Sequence, residues 1–171
     1  MHIEIRASNQ IPQAECGHMH AWIAQVFGES SHEGIQWSTD DWHVTVRVDE
    51  QVVSRVGIVE RVGAVNGSPV KLGGMGGVAT RPEFRRCGYA KAAMQAAVAF
   101  MRDPLRVEFG LLICGEKMIP YYGKLGWQVV PGPMQFDQPK GKVTFTDTVM
   151  VLPCHQPAWP PGVIDLCGLP W

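Results

Sequence analysis

The chain has 171 residues, of which 46% are apolar and 18% are charged, and its formal net charge at pH 7 is −1. This composition is typical of a folded globular domain and excludes an intrinsically disordered chain. The missing basic excess argues against nucleic acid as a partner, and no apolar run approaches the roughly 18 residues that a membrane helix needs. The N-terminus also lacks the basic and apolar segments of a secretory leader, so we expect a cytoplasmic protein without a membrane partner.

The first half of the chain predicts one helix and four strands. Residues 2–8 alternate between apolar and polar side chains, which predicts a strand. Apolar residues then recur at helical spacing over 13–28, and the polar stretch 29–42 predicts a loop or a short helix. A turn at "NGSP" precedes the last of three further predicted strands, which span 43–50, 52–65 and the glycine-rich 70–80.

The second half begins with a turn at 85–90 that opens a long helix with one apolar stripe, and Asp103-Pro104 ends this helix. A buried strand is predicted next over 106–114, then a short helix over 116–126 and a strand over 127–130. A turn-rich segment over 131–141 separates these from a last predicted strand over 142–153. The last strand runs into a proline-rich tail, 153–171. This order of elements predicts a single mixed α/β (α+β) domain over 1–171 with a central sheet.

The helix start at 85–90, "RRCGYA", is the first stretch that indicates chemistry. A helix N-terminus exposes free N–H groups and a partial positive charge, and it binds phosphate groups readily. Gly88 would let a phosphate approach the backbone, and Arg85 and Arg86 would add charged, forked donors. This pattern predicts a pyrophosphate site; the alternative is a solvated basic turn that ends the strand.

Two other phosphate-binding motifs do not fit this sequence. A Walker loop needs a Lys after its glycines, and none follows the glycine run at 73–77. The string from Gly74 to Ala79 formally matches a dinucleotide-binding fingerprint, but Pro82 follows it and no acidic residue stands about 20 positions on.

Two motifs together resemble those of the GCN5-related N-acetyltransferases (GNATs). In "GVATRPEFRRCGYAKAAM", Arg85, Gly88 and Ala90 fill the R/Q-x-x-G-x-G/A motif of that family. In "YYGKLGW", residues 121–127 fill its second motif, aromatic-Tyr-x-x-x-Gly-aromatic. The resemblance covers 43–152 well, and it implies the GNAT fold: a mixed, mostly antiparallel sheet, flanked by helices, in which strands 4 and 5 splay apart.

The resemblance implies that the turn binds the pyrophosphate of acetyl-CoA, mainly through backbone N–H groups. The glycine-rich strand would pair with the pantetheine arm, and the N–H of Val78 would polarise the thioester carbonyl. Gly76 and Gly77 would form a bulge or splay that frees these backbone groups. The implied residues for acetyl-CoA are Val78, Ala79, Thr80, Arg85, Arg86, Cys87, Gly88, Tyr89 and Ala90.

Acetyl transfer to an amine needs one group that protonates the leaving thiolate and another that takes the proton of the amine. Tyr122 matches the tyrosine of the second motif, so we expect it to be the general acid; the alternative is a packed core aromatic. Glu116 and Glu60 are candidate bases, acting directly or through water. A Glu at either position is more often a solvated surface side chain.

The loop before the second strand and the tail indicate residues for the acceptor. Asp40 and Asp41 could bind a cationic acceptor, and they could equally cap a turn. "TDTVMVLP" and a proline-rich tail ending in Trp171 resemble aminoglycoside 2'-N-acetyltransferases, which implies that the α-carboxylate of Trp171 reaches the acceptor site. Those enzymes carry an acidic residue where this chain has Gly76, so we expect a small-molecule amine as substrate, with aminoglycosides and other amino sugars as candidates.

An acyl-CoA-binding sensor without catalytic activity, on the same fold, is the alternative to an enzyme, and Tyr122 argues against it. We expect no metal, because His18 and His20 would point to different faces of a helix and the five cysteines include no C-x-x-C pair. Dimers are common in the superfamily, so a homodimer is a further expectation.

Overall fold

The computed structural model describes residues 1–28 and 34–171, so the part of the predicted loop at 29–33 lies outside the described residues. The helices are α1 (Gln13–Phe27), α2 (Tyr89–Arg102) and α3 (Ile119–Gly123). None of the helices in these two ranges has the length and apolarity required to cross a membrane. The strands are β1 (His2–Ala7), β2 (Trp42–Val48), β3 (Gln51–Val65), β4 (Ser68–Thr80), β5 (Phe109–Cys114), β6 (Gln128–Val129), β7 (Met134–Gln138), β8 (Gly141–Phe145), β9 (Thr148–Pro153) and β10 (Ile164–Asp165).

The strands of the described residues form one sheet in the order β6-β9-β5-β4-β3-β10-β7-β8, and β2 joins β1 to β3. Among these described strands, neighbours run antiparallel except in the pairs β4–β5 and β10–β7. The helix α2 packs across β2, β3 and β4. This is the predicted mixed, mostly antiparallel sheet flanked by helices, and the predicted fold class is confirmed.

Strands β4 and β5 separate part-way along their length. They pair in parallel only from Leu72 to Gly74, and the last pair is Gly74 with Leu111. β4 nevertheless continues to Thr80 and β5 to Cys114. In the described part of the chain no strand pairs with this edge of β4 beyond Gly74, so its backbone groups are open to a ligand. This divergence, which we call the fork, is the predicted splay.

A β-bulge lies next to the fork. The register between β3 and β4 shifts between Arg55 and Gly57 of β3, and the extra residue on β4 falls at Gly77–Val78. Gly77 has a φ of +55°, a backbone conformation that glycine adopts at little cost. A bulge leaves part of the local backbone outside the ladder of hydrogen bonds. The expected bulge is therefore confirmed at Gly77, whereas Gly76 keeps its register pair with Gly57.

Helix α2 begins at the predicted turn and packs on the sheet through its apolar stripe. Gly88 precedes the helix in the left-handed conformation, with φ +83° and ψ 0°. The buried residues of the stripe are Ala93, Met94, Ala97 and Met101. Gly73 of β4 has no room for a Cβ, because Met101 Sδ occupies that space. A small residue in the strand thus lets α2 lie close to the sheet.

The sheet buries apolar side chains on both faces. The face covered by α2 and α3, which we call the helix face, has a core that contains Cys114 and Tyr122. The face covered by the C-terminal residues, which we call the tail face, has a core that contains Phe136, Ile164 and Trp171. A ligand in the fork would therefore have α3 on one side and the tail on the other.

Three parts of the second half differ from the prediction. The predicted turn-rich segment contains β7, whose Met134 and Phe136 are fully buried. The predicted strand over 142–153 is two strands, because β8 pairs with β7 whereas β9 pairs with β5. The predicted tail contains β10, whose Ile164 inserts between β3 and β7. Proline or glycine beside these short strands hides their alternation in the sequence.

Candidate active site

The phosphate turn, which we define as residues 85–90, connects β4 to α2 and leaves backbone donors free. The first hydrogen bond of the helix runs from Ala92 N–H to Gly88 O at 3.0 Å, so the N–H groups before it have no acceptor within the helix. A Cβ on Gly88 would meet no atom within 4 Å, so the space in front of the turn is open. Free donors, open space and the positive end of a helix fit a pyrophosphate group.

The two arginines of the phosphate turn are held differently. Arg85 Nε donates to Thr80 O at 3.3 Å, and Arg85 N–H donates to Pro82 O at 3.3 Å, which ties the turn to the end of β4. Arg86 is exposed and has a φ of +63°. Positive φ is uncommon and strained in a residue with a side chain, and such strain is concentrated at functional sites. Cys87 is also exposed, and its thiol donates to Arg85 O at 3.5 Å.

Beyond the bulge, β4 ends in Val78, Ala79 and Thr80. Ser54 Oγ donates to Ala79 O at 3.0 Å and lies 2.8 Å from Thr80 Oγ1, so these two residues are tied to β3. Val78 falls in the bulge and has no register partner on β3. It also packs against the core of the helix face, which includes Tyr122. Val78 thus lies beside the fork on the same face of the sheet as the core to which Tyr122 belongs.

Tyr122 lies in α3 on the helix face and is only 8% exposed. Burial, with smaller contributions from the neighbouring Cys114 and Tyr121, raises the pKa of Tyr122 to about 12. Its hydroxyl therefore keeps its proton at neutral pH and is in the correct state for a general acid. Leu125 and Trp127 donate backbone N–H bonds to Tyr122 O at 2.9 and 3.2 Å, which fixes the end of α3.

The two candidate bases stand in different surroundings. Glu60 Oε1 lies 2.8 Å from Lys71 Nζ, and Glu60 also borders a shallow hollow together with Asp40 and Asp41. Glu116 is exposed at the start of the short turn between β5 and α3 and does not line that hollow. The structure therefore groups Glu60, but not Glu116, with the acidic residues of the loop.

Trp171 lies on the tail face directly against β4. Its indole ring occupies the space that a Cβ on Gly74 would need, and its main-chain carbonyl carbon lies 3.0 Å from the Cβ position of Gly76. Trp171 Nε1 donates to Leu111 O at 3.2 Å, at the last paired position before the fork. A Cβ on Gly74 would displace the indole ring, and a Cβ on Gly76 would press on the main chain of Trp171. These contacts place Trp171 at the base of the fork.

Arg61 fixes the end of the tail. Its guanidinium carbon lies 5.4 Å from the ring centroid of Trp171, its Nη1 donates to Leu169 O, and its Nη2 donates to Ser38 Oγ at 2.7 Å. Ser38 N–H in turn donates to Pro170 O at 2.7 Å. Burial lowers the pKa of Arg61, but an arginine stays charged throughout the physiological range. The tail and the loop before β2 are thus held together on one face of the sheet.

The two acidic residues of this loop have different partners. Asp41 Oδ2 accepts from Glu60 N–H at 2.8 Å, and Asp41 N–H donates to Ile58 O at 2.8 Å, so Asp41 extends the pairing of β2 with β3. Asp40 instead forms an ion pair with Arg55 through Oδ2 and Nη2. One carboxylate is therefore engaged with the backbone and the other with a buried arginine.

The fold also brings Arg55 and His43 to this site, and no motif in the sequence indicated either residue. Arg55 is 3% exposed and His43 is 4% exposed, and Arg55 Nη2 donates to His43 Nδ1 at 3.0 Å. Burial, and next the charge of Arg55, lowers the pKa of His43 to about 4, so the imidazole is neutral at physiological pH. The available signal was an arginine within a valine-rich strand, on the same strand face as Gly57.

Solved structures share this fold at low sequence identity. The Escherichia coli GNAT family N-acetyltransferase YhbS, solved in complex with CoA, has a TM-score of 0.65 at 16% identity, over 96% of this chain and 89% of YhbS. Escherichia coli ElaA has a TM-score of 0.65 at 11% identity, over 88% of this chain and 98% of ElaA. Eis1 from Mycobacterium abscessus has a TM-score of 0.59 at 14% identity over 78% of this chain, which spans 33% of Eis1.

Comparison of sequences identifies a family but no individual relative. No curated protein matches this chain. A family model described as an acetyltransferase (GNAT) domain matches residues 10–130, more than two thirds of the chain, including the fork, the phosphate turn and α3. The chain therefore belongs to the GCN5-related N-acetyltransferase family and is an N-acetyltransferase that uses an acyl-CoA donor.

Proposed function

We propose that this enzyme transfers the acetyl group of acetyl-CoA to a primary amine of a small molecule. The observation that carries the proposal is the fork, where an open edge of β4 lies beside the free N–H groups at the start of α2. An extended pantetheine arm can pair with such an edge as an added strand, and the helix start suits the pyrophosphate. The proposed residues for acetyl-CoA are Val78, Ala79, Thr80, Arg85, Arg86, Cys87, Gly88, Tyr89 and Ala90.

In the proposed reaction, the amine nitrogen forms a bond with the thioester carbonyl carbon, and the carbon–sulfur bond breaks. Val78 N–H donates to the carbonyl oxygen, which gains negative charge as the nitrogen attacks. Tyr122 gives its hydroxyl proton to the departing CoA thiolate and regains a proton from solvent. The proton that the amine loses passes through water to Glu60 or Glu116.

The acceptor is proposed to lie on the tail face, beside Asp40, Asp41 and Trp171. This is supported by two neighbouring positions: Asp40 lies against Gly57, Trp171 lies against Gly76, and these two glycines are paired across β3 and β4. Asp40 is already paired with Arg55, and Gly76 offers no carboxylate. We therefore expect a small amine or simple amino sugar to be a better acceptor than a polycationic aminoglycoside.

We also propose that residues 1–171 form one catalytic domain that includes the tail, 153–171. The proposal is supported by β10, which pairs with both β3 and β7, and by the hydrogen bond from Asp137 N–H to Gly168 O at 2.9 Å. A homodimer and a cytoplasmic location stay predictions. Light scattering coupled to size-exclusion chromatography would measure the oligomeric state.

The proposed function is tested by the release of CoA thiol from acetyl-CoA in the presence of single amines. The panel contains simple amino sugars, polyamines, amino acids, and a 2'-amino aminoglycoside matched with its 2'-hydroxyl analogue. We expect turnover with at least one small primary amine, and little with the polycationic compounds. CoA binding without thiol release from any member would contradict the proposed acceptor class. Turnover of the 2'-amino compound, and not of its analogue, would overturn the preference against aminoglycosides.

A further inference from the structure

The acceptor side of the sheet contains a buried charged group with no role in the reaction described above. The Arg55 guanidinium donates through Nη2 to Asp40 Oδ2 and to His43 Nδ1. Arg55 Nε is also buried and has no hydrogen-bond partner among the described residues. A buried ion pair adds little net stability, and a buried donor without a partner costs stability. Stability alone therefore gives no reason for an arginine at this position.

The place of Arg55 in the strand register suggests a reason. Arg55 is paired with Ala79, and the register between β3 and β4 shifts immediately after this pair. The guanidinium extends along the sheet over the bulge, where its Nη1 occupies the space that a Cβ on Gly77 would need. Gly77 is the residue of the bulge that has positive φ. Arg55 thus lies in direct contact with the irregular part of β4.

Asp40 and His43 hold the guanidinium in this position. The Asp40 carboxylate lies against Gly57 on β3, as the guanidinium lies against Gly77 on β4, and neither glycine has room for a Cβ. His43 is a hydrogen-bond acceptor at Nδ1, because an arginine can only donate. The neutral imidazole and the carboxylate therefore both accept from Nη2 of Arg55, and they orient the guanidinium without adding a second positive charge.

We propose that Arg55 is a positioning residue for acetyl transfer, which holds the β4 bulge in the conformation that directs Val78 N–H at the thioester carbonyl. The inference rests on the proposed function, since it requires the thioester to lie beside Val78. Arg55 acts only through the backbone of the bulge and touches neither substrate. Its loss should therefore change the polarisation of the carbonyl much more than the affinity for CoA.

The test is the infrared stretch of the thioester carbonyl in acetyl-CoA labelled with carbon-13 at that carbonyl, bound to the protein without an acceptor. In the unchanged chain we expect a shift to lower frequency relative to free acetyl-CoA. In Arg55→Met we expect the shift to be lost, with the Kd for CoA changed by less than about threefold. Arg47→Met is the matched control, because Arg47 is an ion-paired arginine on the neighbouring strand, away from the bulge.

Two outcomes overturn the inference, and they can be told apart. A shift that is kept in Arg55→Met would overturn the role of Arg55 and leave the role of Val78 intact. An unshifted carbonyl, or no binding of acetyl-CoA, in the unchanged chain would overturn the proposed function together with this inference. A purely structural role for Arg55 would lower the melting temperature but would not move the carbonyl frequency.

Arg55→Met leaves the Asp40 carboxylate without its partner, and this variant can fail to fold. The double variant Arg55→Met with Asp40→Asn removes both charges and keeps the volume of the side chains. Neutral replacements of a buried ion pair often fold as well as the parent. We expect this variant to bind CoA and to lack the carbonyl shift, and a retained shift would again overturn the inference.

Discussion

The two sides of the fork are built from different kinds of sequence. The CoA side is nearly continuous, because β4, the phosphate turn and α2 follow one another between residues 68 and 102. The acceptor side combines Asp40 from a loop, Arg55 from β3 and Trp171 from the tail, which meet only in the folded chain. Its contacts include the bond from Ser38 N–H to Pro170 O and the contact of Trp171 with Gly74.

This difference suggests a division of roles in the enzyme. A donor site that depends on one local stretch is kept as long as that stretch folds, whatever happens in the loop or the tail. An acceptor site assembled from distant segments can change its charge and shape one segment at a time. We therefore expect substitutions on the CoA side to affect all acceptors equally, and substitutions at Asp40 or Trp171 to discriminate between them. Arg55 is the exception on the acceptor side, because it acts through the bulge of β4 and its loss should affect all acceptors equally.

The largest expected effect comes from Tyr122→Phe, on the CoA side. Removing the hydroxyl removes the proton donor for the CoA thiolate, so kcat should fall about 100- to 1,000-fold for every acceptor. The affinity for CoA, measured by calorimetry, should stay within about twofold of the unchanged chain.

Tyr121→Phe is the matched control for this prediction. Tyr121 precedes Tyr122 in α3, and the two rings lie 5.3 Å apart in an edge-to-face arrangement. Removal of the hydroxyl of Tyr121 should leave kcat almost unchanged. Equal kcat values for the two variants would rule out Tyr122 as the general acid, and a loss confined to one acceptor would break the proposed division between the sides.

The CoA side could be predicted from the sequence because its signals are local. Gly88, the two arginines and the apolar stripe of α2 all lie within one tight turn and about four turns of helix. The glycines of β4 indicated a bulge, since positive φ and close approach are local properties of the backbone. The fold class followed from the order of these elements and from the two motifs.

The acceptor side could not be predicted to the same extent. The valine-rich strand around Arg55 is a weak local signal that does not reveal its partners, and its burial depends on Asp40, His43 and two glycines from different strands. Strand β10 has only two residues and exists because Ile164 fits between β3 and β7. Such features depend on tertiary packing, which overrides the local pattern.

The next largest effect is expected from Gly88→Trp combined with Arg85→Ala, again on the CoA side. The indole would fill the open space before the helix start, and the first arginine would no longer contribute its charge. We expect the Kd for CoA to rise about 100-fold, as measured by calorimetry, and kcat at saturating acetyl-CoA to change less.

Gly67→Trp is the matched control for the effect of backbone strain. Gly67 lies in the turn between β3 and β4, has a φ of +78°, and like Gly88 has no atom within 4 Å of a Cβ position. Both substitutions carry the same conformational cost, but only the one at Gly88 blocks the phosphate turn. A similar loss of CoA affinity in both variants would show that strain, and not the blocked site, is responsible.

The smallest expected effect is a loss of folding stability at acidic pH, which is caused by the protonation of His43 on the acceptor side. In the folded chain the pKa of His43 lies near 4, below its ordinary value of 6.5. At pH values between these two, unfolding takes up a proton, so the free energy of unfolding falls as the pH falls through this window. From pH 7.5 to pH 5 this one group should cost about 2 kcal/mol of stability, the cost should reach about 3 kcal/mol at pH 4, and it should level off at lower pH.

Urea unfolding at pH 7.5 and pH 5 measures this loss of stability. Carboxylates also change the stability between these pH values, but their contribution cancels when the unchanged chain is compared with a variant of His43. In His43→Gln the amide can still accept from Arg55 but cannot be protonated in this range, so the loss between the two pH values should be about 2 kcal/mol smaller. His18→Gln, at an exposed position in α1, should keep the full loss. Equal losses in all three proteins would show that His43 is charged in the folded chain, and the arginine beside it would then need a different acceptor.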